Sequence, residues 1–136
     1  MKYDAAIIGG GAAGLFCAIH AGRRGKRVVV IEHNAEIGRK IIISGGGRCN
    51  FTNTETSHEN FISQNPHFSK SALAQYTPED FTKLLRKHHI AYYEKKLGQL
   101  FCRESSRQIV EMLRRECLEA RAEIKTGCSA TNVIRD

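Results

Sequence analysis

Residues 3–32 read YDAAIIGGGAAGLFCAIHAGRRGKRVVVIE. The apolar run at 3–8 stops at Gly9, as a strand buried on both faces would. Small and apolar residues from Ala12 to Arg24 then predict a helix, and Gly25 supplies its C-terminal stop. Residues 27–31 are dense in β-branched side chains and end at Glu32, which completes a strand–helix–strand unit over 3–32. Gly9, Gly11 and Gly14 spell G-x-G-x-x-G between the strand and the helix, with Glu32 closing the second strand. Each position has a physical task in holding a dinucleotide. Gly9 permits the tight turn. Gly11 lets the backbone approach a pyrophosphate at the helix N-terminus, beside Ala12 and Ala13, where unpaired N–H groups and the positive end of the helix dipole favour anions. Gly14, with Ala18 behind it, allows close helix–sheet packing, and Glu32 can accept from ribose hydroxyls. The alternative is that the glycines serve only a tight turn; the acid at 32 favours the dinucleotide.

A second glycine run, Ser44, Gly45, Gly46, Gly47, Arg48, Cys49 and Asn50, follows too soon for another complete strand–helix–strand unit to intervene. Service to the same ligand is the more economical reading, with a flexible loop as the alternative. A ligand that leaves the first helix and continues along a second backbone segment suits FAD, whose ribityl and isoalloxazine groups reach past the pyrophosphate. Cys49 beside that segment is a candidate redox thiol or charge-transfer donor. The sequence places no second cysteine near it, which favours a packing or loop role.

Residues 33–68 predict extended loop with a short helix near 36–42. Thr77, Pro78 and Asp80 form an N-cap, a first-turn proline and a third-position acid for a helix ending near His89. Residues 90–102 suggest a hairpin turning at Lys96 to Gly98. Ser105 with Gln108 resembles a capping box for a helix to about Arg121, and 122–126 is a third parallel strand. The chain as a whole, 1–136, therefore predicts the N-terminal part of one α/β, doubly wound, Rossmann-like domain with a parallel sheet. Its parts are the unit at 3–32, the glycine loop at 38–53, a helix and hairpin region at 69–102, a helix and third strand at 105–127, and an extended segment at 128–136. The strand at 3–8 is expected between those at 27–31 and 122–126, with a further strand needed to cover its backbone.

The chain is 41% hydrophobic with a formal charge of +7, enough apolar material for one core. The basic residues come in scattered pairs (23/24, 26/27, 39/40, 86/87, 95/96, 114/115) rather than in the aromatic-interleaved run of a nucleic-acid groove, so no nucleic-acid partner is expected. Five cysteines show no C-x-x-C spacing; no metal site is expected and a reducing cytoplasm is the simplest location. No apolar window reaches the length of a membrane helix, and no membrane partner is expected. Cys17, Cys117 and Cys128 are expected in the core, His88 and His89 at a helix end or the surface, and one of Tyr92 and Tyr93 inside.

The stretches DAAIIGGGAAGLFCAIHAGRRGKRVVVIE (4–32) and GRKIIISGGGRCNFTN (38–53) together resemble the bacterial BaiN/RdsA-like flavoproteins, the aminoacetone-oxidase-like NAD(P)/FAD-dependent oxidoreductases. The first stretch is shared with many glutathione-reductase-type FAD proteins. G-R-K followed by S-G-G-G-R-C-N-x-T-N is characteristic of the family. The resemblance implies FAD, with NAD(P)H as electron donor. Gly9, Gly11 and Gly14 would face the pyrophosphate, Glu32 the adenosine ribose, and Arg39, Lys40, Ser44, Gly46, Arg48, Cys49 and Asn50 would line the FAD-binding stretch. Gly98, Leu100 and Phe101 match a G-x-x-F element, although Cys102 stands where proline is common. Family members are much longer, so the chain would end before the later strands and the substrate-side domain, and the missing C-terminal portion is itself an expected partner. Two functions follow as expectations: a flavin oxidoreductase of unidentified substrate and catalytic residues, or a non-catalytic dinucleotide-binding or interaction fragment.

Overall fold

The computed structural model describes residues 2–135. The predicted unit is present as β1 (Ala5–Ile8), α1 (Ala12–Arg23) and β2 (Val28–Ile31), and Gly25 adopts the left-handed conformation that ends the helix turn. The β6 strand (Glu123–Lys125) is the third parallel strand, but the sheet order is β1-β2-β6, so β2 and not β1 lies in the middle. This corrects the predicted order. Ala5 pairs with Val28 and Ile8 with Ile31 on one side of β2, while Val29 pairs with Glu123 and Ile31 with Lys125 on the other. The physical reason is visible in the residues. Val28, Val29 and Val30 are all buried, as a strand with neighbours on both edges demands. β1 instead alternates half-buried and exposed residues, with Ile8 exposed at 67%. Among the described residues the outer edges of both β1 and β6 are left unpaired.

The segment predicted as extended loop with a short helix near 36–42 has that helix at 39–43 and is otherwise more ordered than its composition suggests. It contains α2 (Arg39–Ile43), a 3-10 turn at Ser44–Gly47, β3 (Asn50–Asn53) and a second 3-10 turn at His58–Asn60. The NFTN strand carries no apolar alternation. It forms because β5 (Gln99–Cys102) offers it an antiparallel partner, with Asn50 opposite Phe101 and a register shift before Thr52. β4 (Tyr92–Glu94) pairs the other edge of β5 and completes the predicted hairpin as a second, antiparallel sheet of order β3-β5-β4. A short helix α3 (Lys70–Gln75), which the sequence reading did not identify, precedes α4 (Pro78–Lys87). The Thr77–Asp80 capping box forms as predicted, Thr77 N donating to Asp80 Oδ2 at 2.9 Å.

The predicted Ser105–Gln108 box does not form. The N-cap of α5 (Arg107–Glu119) is Ser106, whose hydroxyl donates instead to the Ile42 carbonyl at 2.7 Å, while the Gln108 amide reaches Glu104. The Ser105 hydroxyl accepts from Arg107 N at 3.2 Å, so half of the predicted contact to the first turn is made without the Gln108 return bond. α5 packs on α1 so closely that a Cβ at Gly22 would overlap the Ala120 carbonyl. Leu15, Ala18 and Ile19 of α1 join Ile109, Met112, Leu113 and Cys117 of α5 in the core. Cys17 and Cys128 are exposed, contrary to expectation: Cys17 lies on the outer face of α1, and Cys128 follows β6 with only its N–H held, by the Glu32 carbonyl. Residues 128–135 contain no strand, and Asp136 lies outside the described residues. Among the described residues no helix is long and apolar enough to cross a membrane.

Candidate functional site

The first glycine loop has the geometry its spacing demands. Gly9 sits at φ +104 and donates to Ile31 O at 2.8 Å, which anchors the turn to the end of β2. A Cβ at Gly14 would overlap the Gly9 carbonyl oxygen, so only glycine lets α1 start this close to β1. At Gly11 a Cβ would meet nothing within 4 Å. Gly11 is also the N-cap of α1, has no side chain to cap the helix, and is followed by no acid in the first turn. The amides of that turn are thus left to an anion from outside, over a surface on which backbone can approach.

Glu32 is 6% exposed. Its Oε2 accepts from Gly10 N at 2.8 Å, and its Oε1 accepts from Asn34 N at 2.8 Å and from the Asn34 side-chain amide at 2.7 Å. The donors of Asn34 and Gly10 hold the carboxyl below the usual carboxylate range, against the opposing effect of burial. Glu32 therefore stays charged and ties the glycine loop to the end of the central strand. A carboxylate has about four lone-pair sites; these three bonds leave capacity for a ligand hydroxyl.

The second glycine run is a left-handed crook. Gly45, Gly46 and Gly47 have φ of +56, +64 and +83, and Cys49 follows at +52. The Ser44 hydroxyl donates to Ile41 O at 2.7 Å, Cys49 N returns to Ser44 O at 3.0 Å, and Ser106 N donates to Gly47 O at 2.8 Å. Gly46 and Gly47 have open space where a Cβ would lie, whereas one at Gly45 would press on Asn50 N and the Phe101 ring at 2.8 and 2.9 Å. Ser106, fully buried and bonded to both α2 and the crook, is a positioning residue the sequence reading missed. Only its hydroxyl's distant acceptor marks it out.

A cavity of about 530 Å³, within the size range of small-molecule sites, lies beside residues that flank both glycine runs, while Gly9, Gly11, Gly14, Glu32 and Gly45 to Gly47 are outside its lining. Ala12, Ala13, Lys40, Ser44, Cys49 and Asn50 all line it. Arg39 and Arg48 lie outside that lining: Arg39 Nη1 donates to Asn34 Oδ1 at 2.7 Å, and the Arg48 guanidinium bonds the Arg103 carbonyl. The far wall is aromatic and came from no motif. Phe16 meets Tyr76 at 4.8 Å between ring centroids and Phe51 meets Phe81 at 5.7 Å, all four rings facing the cavity. These residues come from four separate segments, so no local spacing could reveal them.

Two further groupings depart from the sequence reading. Cys49 does have a cysteine near it. Cys49 stands between Arg48, whose carbonyl accepts from Cys102 N at 2.8 Å, and Asn50, which pairs with Phe101. Burial pushes the Cys49 thiol up, opposed by the Ser44 hydroxyl, and pushes Cys102 up to about 12, with the nearby Cys49 adding to it. Secondly, His88 is not merely a helix-end residue. Its Nε2 lies 2.6 Å from Oε1 of Glu116, a carboxylate with no exposure, which also holds Lys87 Nζ at 2.7 Å and Arg23. Tyr92 packs against the core as one of the tyrosine pair was expected to, and Tyr93, half-buried, stacks on Phe101.

The family described as HI0933-like protein Rossmann domain matches residues 3–136. The ribosomal RNA dihydrouridine synthase of Escherichia coli (strain K12) is 50% identical over 135 residues, which cover 99% of this chain and 34% of that protein. Its counterpart of the same name from Haemophilus influenzae is 54% identical, over 95% of this chain and 32% of that protein. The chain thus spans about a third of the length of these relatives. A 3-dehydro-bile acid delta(4,6)-reductase of Clostridium scindens is 31% identical over 89% of this chain and 30% of its own. Among solved structures, glycine oxidase from Bacillus cereus superposes with a TM-score of 0.61 at 17% identity, covering 99% of this chain and half of that one. That likeness concerns the fold.

Proposed function

Since the chain belongs to the HI0933-like Rossmann-domain family, we propose that it forms the FAD-binding portion of a flavin-dependent oxidoreductase that takes its electrons from NAD(P)H. The observation that carries this reading is that Ala12 and Ala13, next to the open Gly11 position, line one cavity with Lys40, Ser44 and Asn50. The residues fit the cofactor. Gly9 and Gly11 leave room for a pyrophosphate at the α1 N-terminus, Glu32 has acceptor capacity for adenosine ribose hydroxyls, and Lys40 supplies a cation in the cavity lining. Bound flavin would supply two-electron hydride chemistry. The chain's own residues position it and exclude water: the aromatic wall lowers the local polarity, and the Gly46–Gly47 crook offers backbone N–H groups to a ring edge.

The names of the bacterial relatives support uridine in ribosomal RNA as the substrate of the longer protein. The scattered basic pairs of this chain suit a cofactor-holding part, with the RNA contact supplied by the remaining portion. The second reading is a non-catalytic dinucleotide-binding or interaction fragment. Titration of FAD into the chain, followed by flavin fluorescence, tests the common premise. A chain extended to the relatives' length is then mixed with NADPH and flavin absorbance is followed. Binding in both and bleaching only in the extended chain is expected. Failure of both to bind FAD overturns the proposal; bleaching in the 136-residue chain alone rejects the fragment reading.

A further inference from the structure

Glycine populates positive and negative φ about equally, so three glycines in a row permit the left-handed crook without enforcing it. Contacts from outside must hold it, and β5 with the segment after it supplies them. Cys102 N and Ser106 N donate to Arg48 O and Gly47 O, each at 2.8 Å. The third contact is a ring. A Cβ at Gly45 would stand 2.9 Å from Phe101 Cε1 and 3.2 Å from its Cδ1, whereas one at Gly46 or Gly47 would meet nothing within 4 Å. Gly45 therefore rests against the edge of the Phe101 ring, and the next two residues are left open. Phe101 is 8% exposed yet stands outside the main core cluster, so its burial comes from the crook and the hairpin. The hairpin holds the ring in turn. Tyr93 stacks on it at 6.0 Å between centroids and 26° between planes, and Lys95 Nζ lies 5.5 Å from its centroid.

We propose that Phe101 is a positioning residue of the cofactor site: its ring, braced by Tyr93 and Lys95, fixes the shape of the crook and so sets how tightly the flavin end of FAD is held. This rests on the FAD reading above and extends it to a side chain outside the cavity lining. The effect is selective for one half of the ligand. The adenosine and pyrophosphate half is assigned to Gly9, Gly11 and Glu32, which have ties of their own, Gly9 N to Ile31 O and the Glu32 carboxylate to Gly10 N and Asn34 N. Without the ring the crook samples other glycine conformers, and FAD has to select the left-handed one as it binds. ADP, which lacks the flavin, is spared that cost.

The test compares FAD with ADP by calorimetry. In Phe101→Ala the dissociation constant for FAD should rise on the order of tenfold for each residue released, while that for ADP stays within about twofold of the parent. Amide exchange in the ligand-free variant should quicken at Gly46 and Gly47 and stay unchanged in β2. Phe101→Tyr, which keeps the ring edge, should restore both. Tyr93→Ala retains Phe101 and should show the same split at smaller size, and it decides the matter if Phe101→Ala does not melt cooperatively. Equal losses for FAD and ADP overturn the proposal, as does unchanged exchange at the crook in Phe101→Ala. A parent chain that binds neither ligand overturns the FAD reading itself and the proposal with it. A parent that binds FAD and is matched by both alanine variants overturns the proposal alone.

Discussion

Replacing Glu32 with alanine removes the acceptor on which Gly10 N, Asn34 N and the Asn34 side chain converge. Gly10 is buried against Ile37, so water cannot take over its N–H. A buried donor left without a partner costs about 1–3 kcal/mol. The half-buried Asn34 amide adds less, and a total of about 2–4 kcal/mol is expected. At roughly 4 °C per kcal/mol for a domain of this size, the thermal midpoint falls by about 8–16 °C. Glutamine keeps one acceptor oxygen and should lose about half as much. The carboxyl is held below its usual range by Asn34 and Gly10, so its contribution is present above the unfolded carboxylate pKa and is lost as pH falls through the lower folded value. The melting curves of parent and Glu32→Gln should therefore converge in acid. Melting by circular dichroism across pH, without FAD, is the assay. An unchanged midpoint for the alanine variant at neutral pH would show that Glu32 does not tie the loop. On the proposed function the same variant also weakens FAD binding by about 1.5–3 kcal/mol, on the order of tenfold to a hundredfold by calorimetry.

Gly14→Ala and Gly22→Ala each drive a methyl into a backbone carbonyl, of Gly9 and Ala120 respectively, and should each cost about 1–3 kcal/mol; Gly11→Ala, with open space before it, should leave the melting midpoint within about 0.5 kcal/mol of the parent while lowering FAD affinity. Equal melting of all three variants would refute the packing argument. For Glu116, burial works against ionisation but the bonds from His88 and Lys87 and the Arg23 charge outweigh it and hold the pKa low. Its stabilisation is present above the ordinary carboxylate pKa and lost in acid, so Glu116→Gln should flatten the acid limb of the stability profile, measured by urea titration at several pH values. Ser106→Ala removes the hydroxyl bond to Ile42 O but keeps Ser106 N on Gly47 O, so it should loosen α2 and not the crook, seen as faster amide exchange at Ile42 with exchange at Gly47 unchanged.

The strand–helix–strand unit was legible because its signals are local: a buried run, glycines at fixed offsets, a β-branched run and a terminal acid. The capping box at Thr77 was legible for the same reason. Sheet order was not, because both β1 and β2 are apolar and only pairing on two edges separates them. NFTN becomes a strand through a partner some fifty residues away, which no propensity for Asn or Thr announces. Glu116 sits in RRECLE, a stretch that looks like a solvated helix face. Its burial depends on Arg23, Lys87 and His88 arriving from two other helices. The nearness of Cys102 to Cys49 became visible only with the bond from the Cys102 N–H to the Arg48 carbonyl. The glycine loop could be named residue by residue, while the aromatic wall opposite it could not.

Strands β2 and β6 are neighbours in the sheet, yet everything from Glu32 to Ala122 lies between them in the chain, including the second sheet and most of the cavity wall. A growing polypeptide can pair β1 with β2 after about 30 residues have emerged, but β2 keeps one bare edge until residue 125 is out. At about 5–20 residues per second, that interval is on the order of 5–20 seconds, long against hairpin closure in microseconds. The antiparallel sheet and α5 therefore have time to assemble first. The last strand then enters a slot whose walls are already built.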